Sequence, residues 1–152
     1  MLSDLLDEGL VQLGVEATDW EDAVRKSAAP LVELGMATAG YVDDIVRGVR
    51  ELGPYVVVAP HVALPHARPE SGALRAAIGV VTLASPVPFG SEENDPVRFL
   101  FPLAATDSDG HLGALQALVE LLRAPAFLGR LERAASAAEV VEIIREMEGA
   151  PE

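Results

Sequence analysis

From Tyr55 to Pro69 the chain has the sequence YVVVAPHVALPHARP, an apolar run followed by a proline-rich segment with two of the three histidines. The run Tyr55–Ala59 is typical of a buried strand. Proline fixes its own φ and drives the preceding residue toward extended geometry, so the segment is conformationally restricted. Residues Ala59 to Arg75 are therefore predicted to form a long loop after a strand, where functional sites of α/β proteins are common.

Strand patterns also occur on both sides of this segment. The short apolar run Leu10–Leu13 indicates a first strand. Stretches rich in β-branched and aromatic residues indicate two later strands, at Ala76–Leu83 and Pro96–Leu103. The proline-containing stretch Ser85–Gly90 is predicted to lie between these two strands.

Helical periodicity follows the first strand. Thr18 and Glu21 have capping-box spacing at the start of a first helix, which is predicted to stop at Gly35. The inward positions of this helix are Trp20, Val24, Ala28, Leu31 and Leu34. A second helix is predicted at Gly40–Leu52, ended by Gly53-Pro54.

The C-terminal third of the chain is predicted to be mainly helical. Asp107-Ser108-Asp109 can cap a third helix that starts near Gly110 or His111. Its inward stripe is predicted to be Leu112, Leu115, Leu118, Val119 and Leu122. Pro125 opens a short helix, and Ser136 with Glu139 forms a capping pair before the last one.

Helices that precede, interleave with and follow the strands define the fold class. The pattern predicts an α/β fold, a single-domain sandwich with a central mixed β-sheet flanked by helices on both faces. Residues 1–152 are expected to form one domain, because this length suits one substantial core.

Composition excludes several classes of function. The formal net charge is −13, from 24 acidic and 11 basic residues, which argues against nucleic-acid binding. The absence of cysteine excludes disulfides, thiolate catalysis and cysteine-ligated zinc. The N-terminus is acidic, and charges or prolines interrupt every apolar run, so a cytoplasmic protein is expected.

Six motifs occur along the chain in the order found in one known family. They are Asp19–Ala23, Gly40-Tyr41, Leu52–Pro60, Ala63–Arg68, Pro86–Gly90 and His111-Leu112. With them the chain resembles the enzyme IIA component of the bacterial phosphoenolpyruvate-dependent sugar phosphotransferase system, in the mannitol/fructose/ascorbate class, and is most similar to ascorbate-type members. An ordered set of this kind is far more specific than a single Pro-His pair.

The resemblance implies a phosphotransferase that carries a phosphoryl group between proteins. Family members accept it from the phosphocarrier protein HPr onto one histidine and pass it to an enzyme IIB partner, which phosphorylates the sugar during uptake. The accepting histidine corresponds to His66, and the second active-site histidine to His111. A small residue is common in the family at the position of His61, so no role is transferred there. Contact with the membrane is expected only indirectly, through the IIC transporter.

The residue types suit this chemistry. Arg68 lies two residues from His66, on the same side if the backbone is extended. It could contact phosphoryl oxygens, or pair with Glu70 or with an acid of a partner. His111, in the first turn of its helix, lies where backbone N–H groups attract anions and is expected to hydrogen-bond the phosphoryl group. No glycine-rich phosphate loop or kinase signature occurs, so no nucleotide or other cofactor is expected.

Three questions stay open from the sequence. His61, His66 and His111 could instead form a three-histidine metal site of the catalytic-zinc kind. The chain could also be a regulatory IIA-like module that senses phosphorylation flux rather than serving a transporter. Exposed Val and Leu residues in the strands could mark the edge of a homodimer or be covered by helices.

The resemblance implies that one face of the protein docks HPr and IIB in turn. This face is expected to surround His66 with small and apolar residues such as Val62, Ala63 and Leu64. The acidic charge of the chain favours association with a basic donor protein, and added salt should slow that encounter more than the transfer step.

Overall fold

The computed structural model describes residues 2–149. After an N-terminal 3₁₀ turn, the strands are β1 (Leu6–Val15), β2 (Val57–Ala59), β3 (Val62–Ala63), β4 (Ala77–Val87), β5 (Val97–Leu100) and β6 (Leu103–Ala104). The helices are α1 (Trp20–Glu33), α2 (Ala39–Leu52), α3 (Ser108–Arg123), α4 (Phe127–Arg133) and α5 (Ala137–Gly149). The strands form one sheet in the order β1-β4-β5-β3-β2, with β6 paired to β4.

The sheet is mixed and separates two hydrophobic cores. β1 pairs with β4 and β3 with β5 in parallel, whereas the other pairs are antiparallel. In β4, Ala77, Val81 and Leu83 pack with α1 and α2. Ile78 and Val80 pack with α3, α4 and α5. Because successive side chains of a strand point to opposite faces, helices cover both faces of the sheet, and the predicted sandwich is confirmed.

The start of α1 differs from the predicted capping box. Its N-cap is Asp19, whose carboxylate accepts a hydrogen bond from the backbone N–H of Asp22 at 2.8 Å. The Asp22 carboxylate in turn accepts from the backbone N–H of Thr18 at 3.0 Å. The capping pair is therefore Asp19 with Asp22, and Glu21 forms an ion pair with Arg25 instead.

Two predicted helical stripes are partly wrong. α1 ends at Glu33, so Leu34 follows the helix and is 45 % exposed. In α3 the buried residues are Ala114, Leu118 and Leu121, while Leu112 and Val119 are exposed. α3 carries leucine on more than one of its faces, so periodicity alone could not decide which face packs inward.

The predicted loop between Ala59 and Arg75 contains a strand. β3 pairs antiparallel with β2 and parallel with β5, which places it inside the sheet. The sequence analysis did not predict β3, because this strand is only two residues long and prolines follow it closely. The rest of the segment is irregular apart from a 3₁₀ turn at Pro69–Ser71 and an isolated β-bridge between Ala73 and Ala37.

The two later strands have different boundaries from those predicted. β4 continues beyond Leu83 through Ser85 to Val87, which pairs with Val97 of β5. The predicted strand at Pro96–Leu103 is divided into β5 and β6. Pro102 lies at the division, where it has no N–H to offer a neighbouring strand.

The C-terminal helices begin close to the predicted residues. α4 starts at Phe127, and the hydroxyl of Ser136 accepts from the backbone N–H of Glu139 at 3.1 Å before α5. Among residues 2–149, no single helix is long and apolar enough to cross a membrane. Only α3 and α4 taken together reach that length and composition, and they are bent by 88° where they meet.

Candidate active site

His66 lies three residues after the end of β3, on a segment fixed by main-chain hydrogen bonds. The Leu64 N–H donates to the Val56 carbonyl at 2.7 Å, and the Leu103 N–H donates to the Pro65 carbonyl at 2.9 Å. The Nδ1 atom of His66 lies 2.6 Å from the carbonyl oxygen of Leu64. Because a carbonyl can only accept, Nδ1 carries the proton and Nε2 carries the lone pair.

His111 lies beside His66. It is the fourth residue of α3, whose N-cap Asp107 accepts from the Gly110 N–H at 2.6 Å. The centroids of the two imidazole rings are 4.8 Å apart, with an interplanar angle of 52°. The structure thus brings together the two histidines that the sequence assigned to one site, although α3 begins at Ser108, two to three residues earlier than predicted.

A cavity of about 370 Å³ opens beside the two histidines. Arg68 lines it as well, together with Leu52, Tyr55 and Ser108. The Arg68 side chain is exposed and forms no ion pair with any carboxylate in the described part of the chain, Glu70 included. Its charge is therefore available to an anion in the cavity.

The surroundings of His66 favour its neutral form. Burial lowers the pKa of His66 below its usual range, and the nearby His111 lowers it further. The hydrogen bond to the Leu64 carbonyl acts in the opposite direction and raises the pKa, but burial is the larger effect. Near neutral pH the ring is therefore unprotonated at Nε2 and can act as a nucleophile.

His61 does not belong to this site. It lies in the turn between β2 and β3 with a φ of 68°, and its Nδ1 is 2.8 Å from the carbonyl oxygen of Pro96. It is not among the residues that line the cavity. Between residues 2 and 149, no three His, Asp or Glu side chains are grouped so that they could hold a metal ion. The three-histidine metal site is therefore not formed.

The predicted docking residues are wrong. Val62, Ala63 and Leu64 are almost completely buried, because β3 lies inside the sheet between β2 and β5. Two exposed apolar side chains line the cavity instead: Leu52, at the end of α2, is 79 % exposed, and Tyr55 is 37 % exposed.

Sequence reasoning missed three contributors to the site. Tyr55 packs edge-on against the His66 ring, with centroids 5.3 Å apart, and Ser108 lines the cavity from the first residue of α3. The Leu64 carbonyl that orients the imidazole is a main-chain atom. Residue patterns contain no signal for such an atom, and Tyr55 could have been found only by its place at the start of an apolar run.

Comparisons with known proteins agree with this geometry. A family model described as "Phosphoenolpyruvate-dependent sugar phosphotransferase system, EIIA 2" matches residues 4–147. The ascorbate-specific PTS system EIIA component of Salmonella typhimurium is 37 % identical over 142 residues, which cover 92 % of each chain. The protein belongs to the EIIA components of the sugar phosphotransferase system.

Two solved structures of enzyme IIA proteins are also similar to this chain. The solution structure of the mannitol-specific cryptic phosphotransferase enzyme IIA from Escherichia coli superposes with a TM-score of 0.84 at 37 % identity, covering 94 % of this chain and 97 % of that one. Enzyme IIA of the mannitol system from Escherichia coli, solved in complex with phosphorylated enzyme IIB, gives a TM-score of 0.81 at 25 % identity, covering 93 % and 99 %. The chain is thus similar over most of its length to an EIIA that binds an EIIB.

Proposed function

We propose that this chain is a cytoplasmic phosphoryl carrier that acts as a single IIA domain. It accepts a phosphoryl group from phosphorylated HPr on Nε2 of His66 and passes it to an enzyme IIB partner for sugar uptake and phosphorylation. The observation that carries this proposal is the hydrogen bond between Nδ1 of His66 and the Leu64 carbonyl, which leaves Nε2 as the nucleophilic nitrogen. Family membership and the EIIA–EIIB complex of a related protein support the choice of partners.

The chemistry needs no proton to leave the imidazole. The Nε2 lone pair attacks phosphorus, and the bond between phosphorus and the donor nitrogen breaks, with its electron pair returning to the donor. The ring gains positive charge in this step, and the Leu64 carbonyl stabilises the Nδ1–H that carries part of it. Transfer to IIB reverses the sequence of bonds, because the incoming nucleophile attacks phosphorus and the electron pair returns to Nε2.

Charge on the transferred group is balanced by residues that line the cavity. Phosphoryl transfer depends mainly on in-line positioning and on stabilising negative charge at the phosphoryl oxygens. Arg68 supplies a guanidinium that forms no ion pair within residues 2–149, and His111 supplies a ring N–H within the same cavity. We assign them to phosphoryl stabilisation, with His66 as the covalent acceptor.

Reconstitution tests the acceptor and the donor together. The protein is incubated with phosphoenolpyruvate, enzyme I and HPr, and its intact mass is measured for wild type, His66→Ala and His61→Ala. Wild type and His61→Ala should gain one phosphoryl group, while His66→Ala should gain none. A phosphorylated His66→Ala variant would contradict the assignment.

A second stage tests delivery. The phosphorylated protein is mixed with candidate IIB proteins, and loss of its phosphoryl mass is followed together with gain by the partner. Transfer to a IIB identifies a transport component. Phosphorylation by HPr without transfer to any IIB would contradict the transport role and favour the regulatory one.

A further inference from the structure

Two tyrosine hydroxyls hold the single peptide group that joins His66 to Ala67. The Tyr55 hydroxyl donates to the carbonyl oxygen of His66 at 2.7 Å. The N–H of Ala67 donates to the Tyr41 hydroxyl at 3.2 Å, and that hydroxyl lies 2.8 Å from the Leu103 carbonyl, to which it donates. Residues 66 and 67 lie outside the strands, so these hydroxyls satisfy main-chain groups that no sheet neighbour satisfies.

Tyr55 also contacts the reactive ring directly. Its ring meets the His66 imidazole edge-on, at 82° and with centroids 5.3 Å apart. On its other side Tyr55 packs against α2 at Gly48, where an added Cβ would lie 3.1 Å from the Tyr55 Cε1 and hydroxyl atoms. Tyr55 is therefore held between a helix and the imidazole, and His66 in turn lies between Tyr55 and His111.

We propose that Tyr55 is a positioning residue for phosphoryl acceptance by His66, an inference that rests on the function proposed above. The hydroxyl of Tyr55 fixes the peptide plane after His66, and its ring limits rotation of the imidazole. Both effects keep Nδ1 on the Leu64 carbonyl and Nε2 in the orientation that in-line attack requires. Tyr55 acts through His66 and takes no part in the covalent step.

Tyr55→Phe tests the hydroxyl while retaining the ring. The donor is phosphoramidate, a small molecule that needs no protein docking: Nε2 attacks its phosphorus, the P–N bond breaks, and the nitrogen leaves as ammonia after protonation by water. Loss of one orienting hydrogen bond is expected to slow phosphorylation of His66 about fivefold, measured by intact mass over time. Tyr41 is less suitable for substitution, because its buried hydroxyl also bonds the core at Leu103.

Gly48→Ala tests the same contact without changing any group near His66. The added methyl group must displace the Tyr55 ring by a few tenths of an ångström. Alanine is also the better helix former, so the melting temperature should stay unchanged or rise while phosphorylation slows. The matched control is Gly40→Ala in the same helix, where the new Cβ would make only an ordinary contact of 3.7 Å with Thr38; it should react at the wild-type rate.

Imidazole ¹⁵N shifts give a readout that a purely structural role would not change. In wild type they should show the Nδ1–H tautomer of His66, and in Tyr55→Phe and Gly48→Ala a smaller population of it. Wild-type rates with phosphoramidate in both variants would overturn the proposal. A defect seen only with phosphorylated HPr would also overturn it, because Tyr55 would then serve docking. Since phosphoramidate bypasses the protein donor, failure of HPr to phosphorylate the chain would contradict the proposed function without affecting this result.

Discussion

The imidazole of His66 has one nitrogen bonded to the Leu64 carbonyl and lies beside the ring of His111. The ordered motifs of the sequence were enough to select residues 66 and 111, which the fold brings into one cavity. They could not select the reactive nitrogen, because that choice depends on a hydrogen bond to the main chain. Nor could the sequence motifs exclude His61 from the site, because its distance from His66 and His111 depends on the position of β3 in the sheet.

The depressed pKa of His66 predicts how stability changes with pH. The pKa of histidine is ordinarily about 6.5, and burial lowers the pKa of His66 in the folded protein. Below pH about 6.5 the unfolded chain binds this proton before the folded chain does, so the free energy of unfolding falls as pH falls. His66→Gln should lose less stability than wild type between pH about 7 and about 5, as measured by urea titration. Equal losses in the two proteins would contradict the lowered pKa.

His111 is predicted to stabilise the transferred phosphoryl group. His111→Ala removes a hydrogen-bond donor from the cavity and should slow phosphoryl transfer by about 10²–10³. The measurement is single-turnover transfer from phosphorylated HPr, with thermal unfolding as a check that the variant is folded. Transfer at the wild-type rate would remove His111 from the mechanism.

The left-handed backbone conformation of His61 predicts that the His61→Gly variant is more stable than the His61→Ala variant. Its φ of 68° favours glycine, while its ring is hydrogen-bonded to the Pro96 carbonyl. His61→Ala loses the bond and keeps the strain, whereas His61→Gly loses the bond and relieves the strain. The glycine variant should therefore be more stable than the alanine variant by about 1 kcal/mol in chemical denaturation. The reverse order would show that the strain is negligible.

At the scale of elements, the helices were predicted more accurately than the strands. α2 was predicted almost to the residue, because its apolar period is long and Gly53, with a φ of 89°, follows it. β3 was missed because two residues contain no period, yet it carries the segment that positions His66. The buried face of α3 was predicted only in part: Leu115, Leu118 and Leu122 pack against the core, whereas Leu112 and Val119 are exposed, and periodicity alone could not separate the two sets.

The N-cap of α3 predicts that two capping substitutions will lower stability equally but differ in their effect on phosphoryl transfer. Asp107 caps the helix that carries His111, and Asp19 caps α1, which does not line the cavity. Asp107→Ala and Asp19→Ala should each cost about 1 kcal/mol of stability. Only Asp107→Ala should also slow phosphoryl transfer, because fraying of the first turn of α3 moves His111. Equal transfer rates in the two variants would show that the position of His111 does not depend on this cap.

On the scale of the whole molecule, the fold class followed from the alternation of helices and strands, because each sheet face needs a helical layer. The surface around His66 that is proposed to dock the partner proteins could not be predicted from the sequence. The segment next to His66 is apolar, but it is apolar because it lies inside the sheet, and exposed residues from α2 and α3 surround the site instead. Burial is a property of the complete fold, so residue type alone could not identify this surface.

The net charge of −13 predicts the salt dependence of the reaction. If the donor is a basic protein, raising the ionic strength from about 0.05 M to about 0.5 M should weaken its association with this chain, because surface charges are screened. Stopped-flow measurements should show a slower encounter and an unchanged transfer rate at saturating donor. An encounter rate that does not depend on salt would exclude electrostatic steering.

The oxygen that orients His66 belongs to the peptide bond between Leu64 and Pro65, and this has a consequence for genetics. No codon change at position 64 can delete that oxygen, so a scan of every substitution there would report only on how the buried side chain fits. The decisive variant has to be made by chemical synthesis, with a thioamide in place of this amide, because sulfur is a weaker acceptor than oxygen and the proline ring is retained. The main-chain atom that we propose to select the reactive nitrogen is thus out of reach of mutagenesis and accessible to protein chemistry.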